Sequence, residues 1–214
     1  MNCCSFTAAA EQKFDAKRAA QDLAQYRRKG PNPTTILLRD GLAGAGPLQG
    51  SLLDVGAGVG ALTFELLDRG IGSAIAVEAS SAYLAAATQE ADRRGRTAAT
   101  QFVHGDFLNV ASGLPGATVV TLDRVICCHP AYEAMLAEAL RLAQRYFAFS
   151  YPRDRWYVRA ALAMENGFRR LASNAFRAFV HPPEHMERII KDAGFKLASR
   201  RETLAWCADI YLRP

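Results

Sequence analysis

The sequence predicts an α/β protein built on one mostly parallel sheet of seven strands. Three observations carry that expectation. Residues 51–67 read as a short apolar strand (Leu52, Leu53, Val55), a glycine turn (Gly56, Gly58, Gly60) and a helix, the order of a tight βα unit. Further apolar runs at 74–77, 102–103, 118–122 and 146–150 alternate with stretches of helical pattern, as crossovers between parallel strands require. Two last strands, 195–202 and 204–212, follow with almost no loop between them, the mark of an antiparallel hairpin.

Taken in order, residues 1–10 read as an unstructured start and 11–29 as one helix, with Phe14, Leu23 and Tyr26 among charges. It stops at Gly30-Pro31-Asn32-Pro33, where proline cannot continue the hydrogen-bond ladder. A second helix spans 35–42, and Gly44-Ala45-Gly46-Pro47 leads into the core. Later helices are expected over 61–67, 82–94, 131–144 and 184–193, with Gly95 and Gly194 ending two of them. The connection after the fifth strand is unusual. A simple crossover needs about ten residues, yet this one runs from about 151 to 181 and holds a helix from 156 to about 172. Residues 151–181 therefore read as a helical lid on a main domain of 47–214, with 1–46 as an N-terminal helical cover.

A chain of 214 residues, half of them apolar, can bury one sizeable core. The net charge of +5, with arginines gathered toward the C-terminal half, suits an acidic ligand, a nucleic acid or a solvated surface, and charge alone favours the last. Five cysteines, Cys3, Cys4, Cys127, Cys128 and Cys207, are odd in number and adjacent in pairs, a poor disulfide framework. No C-x-x-C spacing supports a metal site, and no apolar run is long enough to span a bilayer. The expectation is a metal-free, reducing, cytoplasmic protein.

The glycine turn reads Gly-x-Gly-x-Gly, not the dinucleotide fingerprint Gly-x-Gly-x-x-Gly, and Asp54 precedes it by two residues. A carboxylate there repels phosphate and suits a cationic ligand. Glu78 ends the next strand about 20 residues on, where an acid can accept both hydroxyls of a ribose. A glycine turn serving only αβ packing and a nicotinamide enzyme are the competing readings. The segment Leu53 to Gly60, then Glu78, then Gly105-Asp106, resembles the motifs of the class I S-adenosylmethionine-dependent methyltransferases. That resemblance implies a Rossmann-like sheet whose last strand inserts beside the fifth. It also implies S-adenosyl-L-methionine as cofactor and S-adenosyl-L-homocysteine as product. Asp54 would lie near the methionine moiety, with the backbone of Gly56, Ala57, Gly58 and Gly60 along the cofactor. Glu78 and Ala79 would meet the ribose, Asp106 the adenine amino group and Phe107 its face. Asp123, at the end of the fourth strand, and Tyr26, from the cover, complete the expected cofactor site.

The acceptor is expected beyond the carboxyl ends of the strands, near 123–130. There is no Asn/Asp-Pro-Pro-Tyr/Phe sequence, which disfavours base and amide N-methylation. His129 can serve as a general base for a hydroxyl acceptor or as a cap for the following helix. Arg153, Arg155 and Trp156, leaving the fifth strand, are the expected substrate contacts, since arginine suits a carboxylate or phosphate and an indole a planar acceptor. Leu122-Asp123 with Ile126 and His129, and Phe149-Ser150-Tyr151-Pro152-Arg153, look distantly like the magnesium-protoporphyrin O-methyltransferases, which methylate a propionate carboxylate. The expected reaction is methyl transfer to an oxygen of a small anionic or aromatic molecule, by a monomer or homodimer that does not bind nucleic acid. A nucleic-acid methyltransferase and a non-catalytic cofactor-binding or scaffold protein are the alternatives.

Overall fold

The computed structural model describes residues 3–214, with side chains from Phe6 onward. The elements in order are α1 (Cys3–Lys13), α2 (Ala16–Lys29), α3 (Pro33–Ala45), β1 (Ser51–Val55), α4 (Ala61–Leu67), β2 (Ser73–Glu78), α5 (Ser81–Arg94), β3 (Thr100–His104), α6 (Phe107–Val110), β4 (Ala117–Leu122), α7 (Tyr132–Leu142), β5 (Ala143–Pro152), α8 (Trp156–Leu171), α9 (Pro183–Asp192), β6 (Lys196–Glu202) and β7 (Trp206–Leu212). The seven strands form one sheet in the order β3-β2-β1-β4-β5-β7-β6. The first five are parallel, and β7 pairs antiparallel with both β5 and β6.

Each strand sends alternate side chains to opposite faces, so two apolar layers form. Leu53, Val55, Val120, Phe147 and Phe149 pack on one face with α7 and α9. Leu52, Val119, Tyr146, Ala148 and Ile210 pack on the other with α2, α3 and α4. α3 is part of that second layer: Leu38 and Leu42 are fully buried, and Gly41 lies against Ile210, where a Cβ would come within 2.7 Å of the isoleucine side chain. α2 is held to α5 by Glu90, which is fully buried and accepts hydrogen bonds from Arg27, Arg93 and Arg94.

Three expectations need correction. Of the residues read as an unstructured start, Cys3 onward belongs to α1; Met1 and Asn2 lie outside the described residues. The single helix over 11–29 is two, because the Asp15 side chain accepts from the Arg18 backbone N–H and starts α2 afresh. Residues 143 and 144 belong to β5 and not to the helix before it, so α7 ends at Leu142.

Candidate active site

The β1–α4 turn is built by backbone conformation. Gly56, Gly58 and Gly60 all have positive φ (64°, 60° and 79°), a region that costs an L-residue roughly 1–2 kcal/mol. Gly56 also lacks space: a Cβ there would come within 2.5 Å of Val125. The N–H groups of Gly56 and Ala57 donate to the Val77 carbonyl (2.8 and 3.1 Å), tying the turn to the end of β2.

Three acids surround this turn. Asp54 is buried at the end of β1 and accepts from the hydroxyls of Thr63 and Thr121, each at 2.7 Å. Burial outweighs those two bonds and pushes its carboxyl up to about 6. Glu78 accepts from the Gly58 N–H (2.8 Å) and the Ser80 N–H (2.9 Å). Burial raises its pKa too, against the pull of those backbone amides. Asp106 uses Oδ1 to accept from the Leu108 N–H, while its buried Oδ2 has no hydrogen-bond partner.

Two adjoining cavities meet at the turn. The larger, about 330 Å³, is walled by Gly58, Glu78, Ala79, Asp106 and Phe107 on the sheet side. The smaller, about 230 Å³, is walled by Tyr26, Asp54, Ala57 and Gly58. Gly56 and Asp123 border both. Gly60 borders neither; it is the left-handed N-cap of α4, packed against Phe64. Asp123 is tied into the framework, accepting from Thr35 Oγ1 (2.5 Å) and Ser150 Oγ (2.6 Å). The Tyr26 ring lies beneath the Arg94 guanidinium, and its hydroxyl is near Glu65 and the Ala61 carbonyl.

The far wall differs from the expected one. Arg153 is engaged with the Thr203 carbonyl and Glu202 at the base of the β6–β7 turn. Arg155 is exposed at the N-cap of α8, and Trp156 is 81 % exposed. None of the three borders either of these two cavities. The cations that do border the larger cavity are Lys13, Arg18, Arg124 and Arg169, joined by the aromatic groups Phe14, Phe176 and Trp206. Burial and then the nearby Arg169 lower the Lys13 pKa, so the two cations sense each other across the cavity. Arg124 holds φ at 60°, an unusual conformation for a non-glycine residue.

His129 is buried at the start of α7. Its Nδ1 accepts from the Ala131 N–H (3.1 Å), leaving Nε2 directed toward Asp106 Oδ2 at 3.7 Å. In the neutral ring the lone pair is thus already committed to a backbone donor, the bonding expected of a cap. Lys13 and Phe14 were hidden from the sequence by the run-on helix reading; the Asp15 N-cap was the signal. Leu162, Glu165 and Arg169 were legible as one flank of a helix, at spacings of three and four residues.

This strand order, with β7 between β5 and β6 and an acid-flanked glycine turn after β1, is the fold of the class I S-adenosylmethionine-dependent methyltransferases. Residues 52–145 match the family model for a methyltransferase domain. No curated protein matches the chain. Among solved structures, the chain is similar to magnesium protoporphyrin IX methyltransferase from Synechocystis PCC 6803 with bound S-adenosylhomocysteine. That match has 19% identity, covers 95% of this chain and 98% of the other, and has a TM-score of 0.74. The same enzyme with bound S-adenosylmethionine matches with 18% identity, over 98% and 97% of the two chains, at 0.71. An O-methyltransferase family protein from Burkholderia thailandensis matches with 16% identity over 95% of this chain and 62% of that one, at 0.72.

Proposed function

We propose that the protein binds S-adenosylmethionine and transfers its methyl group to an oxygen of a small anionic acceptor, most simply a carboxylate on an aromatic or porphyrin-like molecule. The observation that carries the cofactor assignment is the placing of Asp54, Glu78 and Asp106 around one glycine turn between two connected cavities. The residues fit the group. Asp54 offers negative charge where a cationic methionine moiety needs it. Glu78 is held by two backbone amides in a fixed pose at the end of β2, where a ribose would sit. Asp106 Oδ2, buried with no partner, is an acceptor that an adenine amino group would satisfy.

When bound, the cofactor supplies a sulfonium methyl, an electrophile open to in-line displacement. The protein's part is positioning and exclusion of water. Lys13 and Arg124 give the acceptor cavity cations that pair with an ionised group, Arg169 stands beside them already paired with Glu165, and Phe14, Phe176 and Trp206 give it flat apolar walls. The commitment of His129 Nδ1 to the Ala131 N–H favours an acceptor that arrives already ionised and needs no base. The test is calorimetric titration with S-adenosylmethionine and S-adenosylhomocysteine on wild type and Glu78→Gln. An amide oxygen cannot replace both carboxylate oxygens, so binding should weaken by roughly ten- to a hundredfold. Turnover is then screened on aromatic and porphyrin carboxylates. Absence of cofactor binding by folded wild type would overturn the reading.

A further inference from the structure

Among the described residues, the large apolar side chains left in solvent are concentrated in one place. Trp156 (81 % exposed), Met164 (62 %), Phe168 (63 %) and Leu171 (85 %) all belong to α8. Their spacings of eight, four and three residues put them on one flank of the helix. Leu204 (79 %) extends the patch from the β6–β7 turn, which the Tyr157 hydroxyl ties to α8 by donating to the Leu204 carbonyl at 2.8 Å. The opposite flank, with Leu162, Glu165 and Arg169, faces the acceptor cavity. α8 is therefore apolar on a side with no core to meet, where a merely solvated helix would carry charge.

Cations frame the patch: Arg155 at one end of α8 and Arg170 at the other are exposed, and Arg159 beside Arg155 is paired with Asp154. A second copy of the chain is a poor occupant. Antiparallel pairing of α8 about a two-fold axis would set Arg155 of one helix beside Arg170 of its mate, like charge against like, because Arg159 and Arg169 are already paired with Asp154 and Glu165. An anionic interface instead takes the same arginines as complements. It also gives an indole its preferred depth among headgroups and lets Met164, Phe168 and Leu171 reach the acyl boundary.

We propose that α8, with the β6–β7 turn, is a membrane-docking surface that lies in the headgroup layer of a bilayer containing anionic lipid. No spanning segment is involved: no helix among the described residues is long and apolar enough to cross a membrane. Because one flank of α8 faces lipid and the other the cavity, a docked molecule holds its acceptor site within about one helix diameter, roughly 10 Å, of the lipid surface. An amphipathic acceptor could then pass from membrane to cavity without crossing bulk water. Vesicle binding needs neither cofactor nor turnover, so its outcome is separate from that of the proposed reaction.

The experiment is flotation of the full chain with vesicles of phosphatidylcholine and phosphatidylglycerol, against phosphatidylcholine alone. Wild type should float with the anionic vesicles and be released by high salt. Phe168→Ser with Leu171→Ser should lower the partition coefficient by roughly tenfold or more. Arg155→Glu with Arg170→Glu should remove the preference for anionic lipid. Both pairs should keep the wild-type melting temperature and S-adenosylmethionine affinity, because all four side chains are in solvent. Folded wild type that stays in the aqueous layer at every lipid composition would overturn the proposal. So would a dimer in analytical ultracentrifugation that the Phe168 and Leu171 substitutions split, since the patch would then be a self-interface.

Discussion

Asp54→Asn should separate stability from ligand binding. The Asp54 carboxyl is raised from 3.8 to about 6 because burial outweighs its two threonine hydrogen bonds. A shift of roughly two units corresponds to about 3 kcal/mol. The sign follows from the raised value: the stabilisation is complete below pH 3.8, where the carboxyl is protonated in both states, and is lost as pH rises through about 6. Asparagine resembles the protonated form at every pH, although Thr63 and Thr121 must share one acceptor. The ligand-free variant should therefore be more stable than wild type at pH 7 by about 1–3 kcal/mol, a rise in melting temperature of roughly 3–10 °C. Below pH 4 the difference should vanish. Binding should move the other way. A cationic ligand needs the ionised carboxylate, so wild-type affinity for S-adenosylmethionine should fall about tenfold per pH unit below about 6, where the ionised fraction declines in that proportion. The variant should bind more weakly at neutral pH and lose that dependence. Thermal unfolding and calorimetry between pH 4 and 8 read both effects. A variant that melts below wild type at pH 7, yet binds the cofactor as tightly, would refute the electrostatic account of the turn.

Gly56→Ala should cost at least about 2 kcal/mol of stability and weaken cofactor binding, because the new methyl meets Val125 in a left-handed conformation; chemical denaturation and titration of the same sample measure both. His129→Ala should lose about 0.5–2 kcal/mol with the cap on the Ala131 N–H, while turnover on a carboxylate acceptor changes little; a drop of a hundredfold or more in kcat at unchanged fold would restore a base role. Glu90→Ala should destabilise by about 3 kcal/mol or more, leaving three arginines around an empty site. In wild type, the arginine bonds hold the Glu90 carboxyl down at about 2, below its ordinary 4.5. Its stabilisation is present above pH 4.5 and lost as pH falls toward 2, visible as an acid limb that Glu90→Gln lacks.

What could be read from the sequence was local. The apolar run before Gly56 and the acid at the end of each neighbouring strand are fixed by a few adjacent residues, and the structure brings Asp54, Glu78 and Asp106 together around the turn. The place of β7 between β5 and β6 is a fold-level property, reached by resemblance. The far wall of the larger cavity was harder because it depends on how separate elements dock. Arg153 and Arg155 stand closest in sequence to the end of β5, yet they point along the hairpin and into solvent. Arg169 reaches the cavity from more than three turns further on. Lys13 arrives there from a helix whose independent existence rests on one capping aspartate.

The insertion of β7 between β5 and β6 also dictates an order of events during folding. Until residues 206–212 pair, ten residues of β5, eight of them buried in the finished sheet, border an open edge that offers unpaired backbone groups to any passing strand. Closing it requires Tyr146 to find Leu212 across 66 residues of chain, after α8 and α9 have been laid down. Loop closure of that length is slow compared with formation of a βα unit. The period of greatest exposure to misassociation should therefore fall late, and refolding yield should depend on protein concentration most steeply in that final step.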